Sequence, residues 1–311
     1  MSEAPNNASD PDRPSENESA PEGPTPGSEE KPRRRVPVFR PQRMQQQLWV
    51  DALLRGGALG ALLIAFVALV GTGTGGSAAG VLGAVVLVIG WAVLNRAGAG
   101  VARALPQVSA TIDQHPGAGE AVLADLLSRR LLPRWVRLML YHRLALLRHR
   151  QQRYGESAAI AQCLLSADRP GPMGRHRANL LLLLVEARLE MGDTLGAWMA
   201  LHALAHTPVT LNEALQRMAL RARYEVMVGH DDAALHLAEQ KVRLAELMPG
   251  PQCGAFHALL ATAAHRAGRA EDHRRWWTRV ELLCSDEQIR QLGEGLGVAI
   301  AGVAAPDTAA V

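Results

Sequence analysis

The stretch GGALGALLIAFVALVGTGTGGSAAGVLGAVVLVIGWAVL, Gly56–Leu94, decides the architecture. No charged residue occurs in the 40 positions between Arg55 and Arg96. Two apolar runs, Gly56–Gly71 and Ala78–Leu94, flank TGTGGS, Thr72–Ser77, which is turn chemistry. One straight helix of that length would reach ~60 Å, twice the ~30 Å hydrocarbon core of a bilayer. Two helices and a tight turn fit, so the expectation is a transmembrane hairpin with helices over about 53–71 and 77–95. A soluble core helix keeps a polar stripe, and these runs have none. Trp49 and Trp91 stand near the ends, where interfacial aromatics collect. Gly56, Gly60, Gly80 and Gly83 are expected to let the two helices approach closely. With no ionisable side chain inside the spans, the pattern reads as an anchor rather than a transport path.

Outward from the hairpin, both flanks are basic. Lys31, Arg33, Arg34, Arg35, Arg40 and Arg43 precede it with no intervening acid, then Arg55; Arg96 and Arg103 follow. The positive-inside rule then places both termini in the cytoplasm. The first 30 residues hold eight acids and one arginine and almost no large apolar side chain. Such a segment buries too little to offset its ordering entropy, so residues 1–43 are expected to be a disordered tail, acidic and then basic. The chain does not start with a basic region followed directly by an apolar run, so no signal peptide is expected. Arginine dominates, lysine appears only at positions 31 and 241, and Ala, Gly and Leu are abundant, as in GC-rich bacteria. The expected location is therefore a bacterial inner membrane, multi-pass. Cys163, Cys253 and Cys284 are far apart and odd in number, which points to reduced thiols. A net charge of +3 does not call for a nucleic-acid partner.

Beyond Pro106 the pattern becomes amphipathic helices punctuated by Pro116-Gly117, Pro133, Pro170-Gly171-Pro172, Pro208 and Pro249-Gly250-Pro251. No strand-like alternation occurs, and the fold class read from this is all-α. Residues 107–295 form the expected helical domain, with 296–311 a flexible tail. Four segments align: YGESAAIAQCLL from Tyr154, MGDTLGAWMALHAL from Met191, VGHDDAALHLAEQ from Val228 and AGRAEDHRRWWTRV from Ala267. Their glycines, Gly155, Gly192, Gly229 and Gly268, are spaced 37, 37 and 39 apart. A helix–Gly turn–helix unit recurring at this period implies an α-solenoid. The segment from Ser285 begins with Ser-x-x-Gln, a capping-box pattern, and reads as a closing helix.

Over about residues 135–284 this arrangement resembles the tetratricopeptide repeat family. Gly-x-x-x-x-Ala occurs at Gly192–Ala197 and Gly229–Ala234, and Ala222 and Ala261 stand seven residues before a repeat glycine. At Gly155 the position is filled by Ile160 and at Gly268 by His273; the family's first-helix Trp and Tyr are absent, and the period exceeds the usual 34. The resemblance implies ligand binding in a groove lined by the first helix of each unit. Carried across by the glycine register, the implied partner-binding residues are His142, His149, Arg153, Asn179, Glu186, Gln216, Arg223, His265 and Arg266. This mixed, mostly basic set suits a protein or peptide of some acidic character.

Arg129–Arg153 contains eight arginines and no acid. The bland reading is a solvated face. The sharper one makes Arg129, Arg130, Arg134 and Arg137 a lipid-facing basic patch, on an anionic-lipid-binding or membrane-stress-sensing component. His202 and His206 lie four apart without a third ligand in view, so no metal site is expected. No phosphate loop, nucleophile elbow or paired carboxylates are present, and neither catalysis nor a cofactor is expected. The function expected is that of a scaffold for protein–protein interaction at the cytoplasmic face of the membrane.

Overall fold

Thirteen helices and no strand make up the described part of the computed structural model, which comprises residues 41–71, 77–129, 132–167, 174 and 176–296. The acidic tail, the turn residues 72–76, Arg130 and residues 297–311 lie outside it. The all-α expectation holds.

Helices α1 (Pro41–Gly71) and α2 (Ser77–Gln114) pack on each other. Each has two unlike halves. At the base of α1, Met44, Leu48 and Asp51 are buried, a spacing of four and three that marks one helix face. At the distal end of α2, Val101, Leu105, Val108 and Ile112 are buried with the same periodicity. These two stripes join one hydrophobic core with α3 (Pro116–Ser128), α4 (Arg134–Arg150) and α5 (Tyr154–Ala167). The outer halves are different. Leu63, Ile64 and Val67 of α1 and Val81, Val88 and Ile89 of α2 are all more than half exposed. Among the described residues one helix is long and apolar enough to cross a membrane, the Gln42–Ala68 part of α1.

Two expectations are corrected here. Pro106 does not mark the end of a helix, because α2 runs through it to Gln114. A proline costs one helical hydrogen bond, and the buried stripe on both sides of Pro106 offsets that loss. The boundary expected between hairpin and helical domain therefore falls inside a continuous helix. Nor do Gly56 and Gly60 bring α1 and α2 together: a Cβ at either would meet nothing within 4 Å. Gly80 and Gly83 have no described side-chain surroundings.

From α4 onward the chain repeats a helix–turn–helix unit: α4–α5, then α6 (Arg177–Glu190) with α7 (Thr194–Ala205), then α8 (Leu211–Met227) with α9 (Asp231–Leu235) and α10 (Ala238–Ala245), then α11 (Gly250–Arg266) with α12 (Ala270–Leu283). The four turns are built alike. A residue with positive φ follows the helix: Gln152 (58°), Gly192 (72°), Gly229 (77°) and Gly268 (71°). The next N–H in each, from Arg153, Asp193, His230 and Arg269, reaches back to the carbonyl five residues earlier, on Arg148, Arg188, Glu225 and Ala264, at 2.8–2.9 Å. The positive-φ residue itself donates to the carbonyl three residues earlier. This is the Schellman arrangement, which favours glycine because a Cβ strains the left-handed backbone.

The register expected from Gly155 is thus off by three. Gly155 lies in the first turn of α5, and its counterpart in the turn is Gln152, so the spacings become 40, 37 and 39. Side chains support the corrected register. Ala145 now aligns with Ala222 and Ala261 as the small buried residue of the first helix. Ser157 aligns with Ala197, Ala234 and His273 on the second helix. The Ser157 hydroxyl donates to the Ala145 carbonyl at 2.9 Å. The His273 Nδ1–H donates to the Ala261 carbonyl at 3.0 Å, the equivalent contact in the fourth unit.

Packing follows a simple order. Each first helix packs on its own second helix, each second helix on the next first helix, and α4, α6, α8 and α11 also touch in sequence. The third unit departs from the others, since its second helix breaks at Leu237, which has φ 55°. The Lys241 ammonium covers two carbonyls next to the break, Ala234 at 2.9 Å and Ala233 at 3.3 Å. α13 (Asp286–Leu296) closes the chain on α11 and α12. Its capping box is formed: Ser285 N–H donates to Gln288 Oε1 at 3.0 Å, and Gln288 N–H to Ser285 Oγ at 3.4 Å.

Candidate functional site

A groove of about 380 Å³ opens along α6, α8 and α11. Leu182, Leu220, Phe256 and Leu259 form an apolar floor, and Glu186, Gln216, Arg223 and Gln252 supply polar groups around it. The repeat explains this convergence. Leu182 and Ala219 stand ten residues before their turn glycines, and Glu186 and Arg223 stand six before. Gln216 and Ala255 stand thirteen before theirs. Equivalent positions on successive first helices therefore face one space.

Three of the nine implied partner-binding residues, Glu186, Gln216 and Arg223, meet here. Glu186 accepts from His149 Nε2 at 3.5 Å. Burial opposes its charge, but the hydrogen bond and charge of His149, with the charge of Arg223, hold its carboxyl below the usual range. Arg223 Nη1 donates to Glu190 at 2.7 Å. The groove wall therefore carries both signs of charge, on Glu186 and Arg223, each tied to a partner outside the lining, His149 and Glu190. The set is not simply basic.

The other implied residues lie elsewhere. His142 is buried, its ring 5.7 Å from that of His176. Burial, with Arg143 and His176 adding positive charge, brings its pKa down to about 4. Its placement in a groove came from the Gly155 register; at the corrected register the equivalent positions are Met139 and Leu146, both packed against the core. His149 is edge-on to Tyr154 as well as bonded to Glu186. Arg153 pairs with Glu156. Asn179 is exposed. His265 is exposed beside His273, and Arg266 Nη1 donates to the Val226 carbonyl at 2.8 Å, bridging the third and fourth units. His202 and His206 touch edge to face, and among the described residues no cluster of three or more metal-type ligands occurs.

The basic stretch also resolves into individual placements. Arg137 is 3% exposed and is not on a lipid-facing surface. It pairs with Asp51 of α1 and donates to Gln47 Oε1, to the Leu127 carbonyl and to the Arg129 carbonyl at 2.9 Å. The Tyr141 hydroxyl donates to the same Gln47 oxygen. Arg148 is fully buried between Glu120 of α3 at 3.2 Å and Glu156 of α5 at 3.1 Å. Arg129 is exposed and pairs with Asp125 at 2.9 Å. Arg134 is exposed and donates to the Ala167 carbonyl. Among the described residues, four of the eight arginines in this window without acids are thus paired with acids from α1, α3 and α5. Sequence reasoning missed Asp51 and Gln47, whose partners lie some ninety residues away.

No family model matches the chain, and no curated protein or solved structure matches it either.

Proposed function

We propose that this protein is a membrane-anchored scaffold of tetratricopeptide-like helix pairs, held by a transmembrane hairpin at the cytoplasmic face of a bacterial inner membrane, and that it binds a protein partner in the groove of α6, α8 and α11. In this reading it binds and positions and performs no catalysis. The observation that carries the proposal is the groove itself. Register-equivalent side chains from successive units line it, and its apolar floor bounded by hydrogen-bonding amides and both signs of charge fits an amphipathic peptide segment. Four equivalent turns and the order of helix packing support the stacked-repeat reading. The anchor reading rests on the exposed apolar halves of α1 and α2. About 20 residues project on each at 1.5 Å per residue, ~30 Å, the thickness of a bilayer core.

The groove is tested with a photo-crosslinking side chain at Gln216 in the full-length membrane protein. A discrete partner is expected, lost in Ala219→Trp, which fills the groove, and absent when the crosslinker sits at exposed Leu195 on α7. Equal capture from Gln216 and Leu195, or capture at Gln216 unchanged by Ala219→Trp, overturns the groove. Topology is tested with Thr74→Cys and an impermeant thiol reagent. Labelling from the outer side is expected at that position, and none at a cysteine placed instead in either terminal segment; resistance of the chain to alkaline extraction accompanies it.

A further inference from the structure

Where the exposed apolar helices meet the helical domain, α1, α4 and α5 enclose a cleft of about 420 Å³. Gln45, Leu48, Trp49, Ala52, Arg134 and Ser166 line it. It is amphipathic. Ala52 and the Trp49 ring continue the exposed apolar surface of α1, while Arg134, Gln45 and Ser166 supply polar groups. Trp49 is 69% exposed, an unusual state for an indole that no membrane or partner covers. Arg134 uses one nitrogen on the Ala167 carbonyl, and no described carboxylate lies within ion-pair distance of it. Each of Arg129, Arg137, Arg148 and Arg153 has such an acid.

The depth of the cleft is fixed by helix geometry. Four residues of continuous α1 separate Trp49 from Leu53, where the expected transmembrane helix begins, which is ~6 Å of rise. The polar headgroup layer adds ~5–8 Å to each side of the hydrocarbon core. A hairpin that crosses the bilayer therefore puts this cleft at headgroup level, lined by an exposed indole and by a guanidinium with no partner among the described carboxylates. Arg is suited to a phosphate because its planar fork offers paired donors.

We propose that the cleft binds one phospholipid of the adjoining leaflet, its phosphate on Arg134 and its glycerol–acyl region against Trp49 and Ala52. The proposal rests on the transmembrane reading of the hairpin. Bound there, the lipid bridges α1 to α4 and α5 beside the buried Asp51–Arg137 pair, so it would fix the domain's attitude to the membrane.

The test is native mass spectrometry of the full-length protein in detergent, titrated with phosphatidylglycerol, phosphatidylcholine or inorganic phosphate. One phospholipid retained per chain is expected, with five- to tenfold weaker binding (about 1 kcal/mol or somewhat more for one charge) in Arg134→Ala. Arg134→Lys should keep most of the affinity, and Trp49→Ala should lose a few-fold; helicity and melting of each variant establish that it is folded. Retention unchanged in Arg134→Ala, or in both Arg134→Gln and Trp49→Ala, overturns the site. Displacement of the lipid by inorganic phosphate at equal concentration also overturns it, since the ligand would then be free phosphate. A chain extracted from membranes by alkali would instead defeat the hairpin reading, whereas a chain that stays inserted but shows no Arg134-dependent retention defeats only the lipid site.

Discussion

Helices α1 and α6 both carry unbroken apolar runs, and their fates are opposite. In α6, Leu180–Val185 are each 5% exposed or less, enclosed by α5, α7 and α8. In α1, Leu63, Ile64 and Val67 are 54%, 71% and 60% exposed. Yet α1 is not bare throughout, since twelve or more residues earlier its Met44, Leu48 and Asp51 are buried. Apolar composition sets the demand for cover. Whether protein meets that demand depends on neighbours, and where protein does not, an exposed contiguous apolar surface of this size calls for a bilayer or a partner.

The largest effect is expected at the base of α1. Arg137→Ala strands the Asp51 carboxylate in the core, and a loss of ~3–5 kcal/mol is expected. Asp51→Leu/Arg137→Met should recover most of it, as read by thermal unfolding in detergent. An equal loss in single and double variants would show that the pair is not what holds α1 to α4. Next, Leu180→Ala in α6 should cost ~2–5 kcal/mol, while Ile64→Ala in the outer half of α1 should shift the same midpoint by less than ~0.5 kcal/mol. Comparable losses would mean that protein covers the outer half of α1.

His142 offers a pH test of the core on which α1 docks. Its pKa of about 4 in the folded chain lies below the ordinary 6.5, so the unfolded chain binds more protons between those values. The stability contributed by neutral His142 is then complete above about 6.5 and is lost as pH falls toward 4, to the extent of ~3 kcal/mol. His142→Gln should flatten that part of the stability–pH curve; an unchanged slope would assign it to other groups.

The smallest effect sharpens the repeat register. Gln152 holds the left-handed position that glycine holds in the other three turns. Gln152→Gly should stabilise by ~0.5–1 kcal/mol, and Gly229→Ala should destabilise by ~1 kcal/mol. Gly155→Ala, in an ordinary helical position with only the Met191 sulfur at 3.6 Å from the new Cβ, should not destabilise. A loss there comparable to Gly229→Ala would restore the Gly155 register.

Much of the fold was legible because helical period, glycine spacing and capping patterns are local. Gly192, Gly229 and Gly268 announce their turns since only glycine takes that backbone without strain, and Ser285–Gln288 announces a helix start. The first unit misled because a glutamine accepts the strained position and a nearby glycine in α5 imitates it. That slip of three put the expected groove residues of the first unit at positions that do not line the groove, with buried His142 as the clearest case, while the second and third units placed Glu186, Gln216 and Arg223 in one groove. Pro106 misled differently, since the rule that proline ends a helix yields when apolar burial continues on both sides.

The sequence by itself determined that this chain is helical, that its helices recur about a turn whose backbone demands glycine, and that 40 consecutive positions carry no charge. These follow from local conformational preference and from composition. Tertiary structure alone decided which arginines are surface charges. Arg137 and Arg148 look like Arg134 in the sequence, but their carboxylates come from Asp51, Glu120 and Glu156 on other helices, and burying a guanidinium requires such a partner. It also decided that the uncharged stretch grows out of the helical domain on two continuous helices, because the same α1 and α2 that expose apolar side chains at one end complete the core at the other.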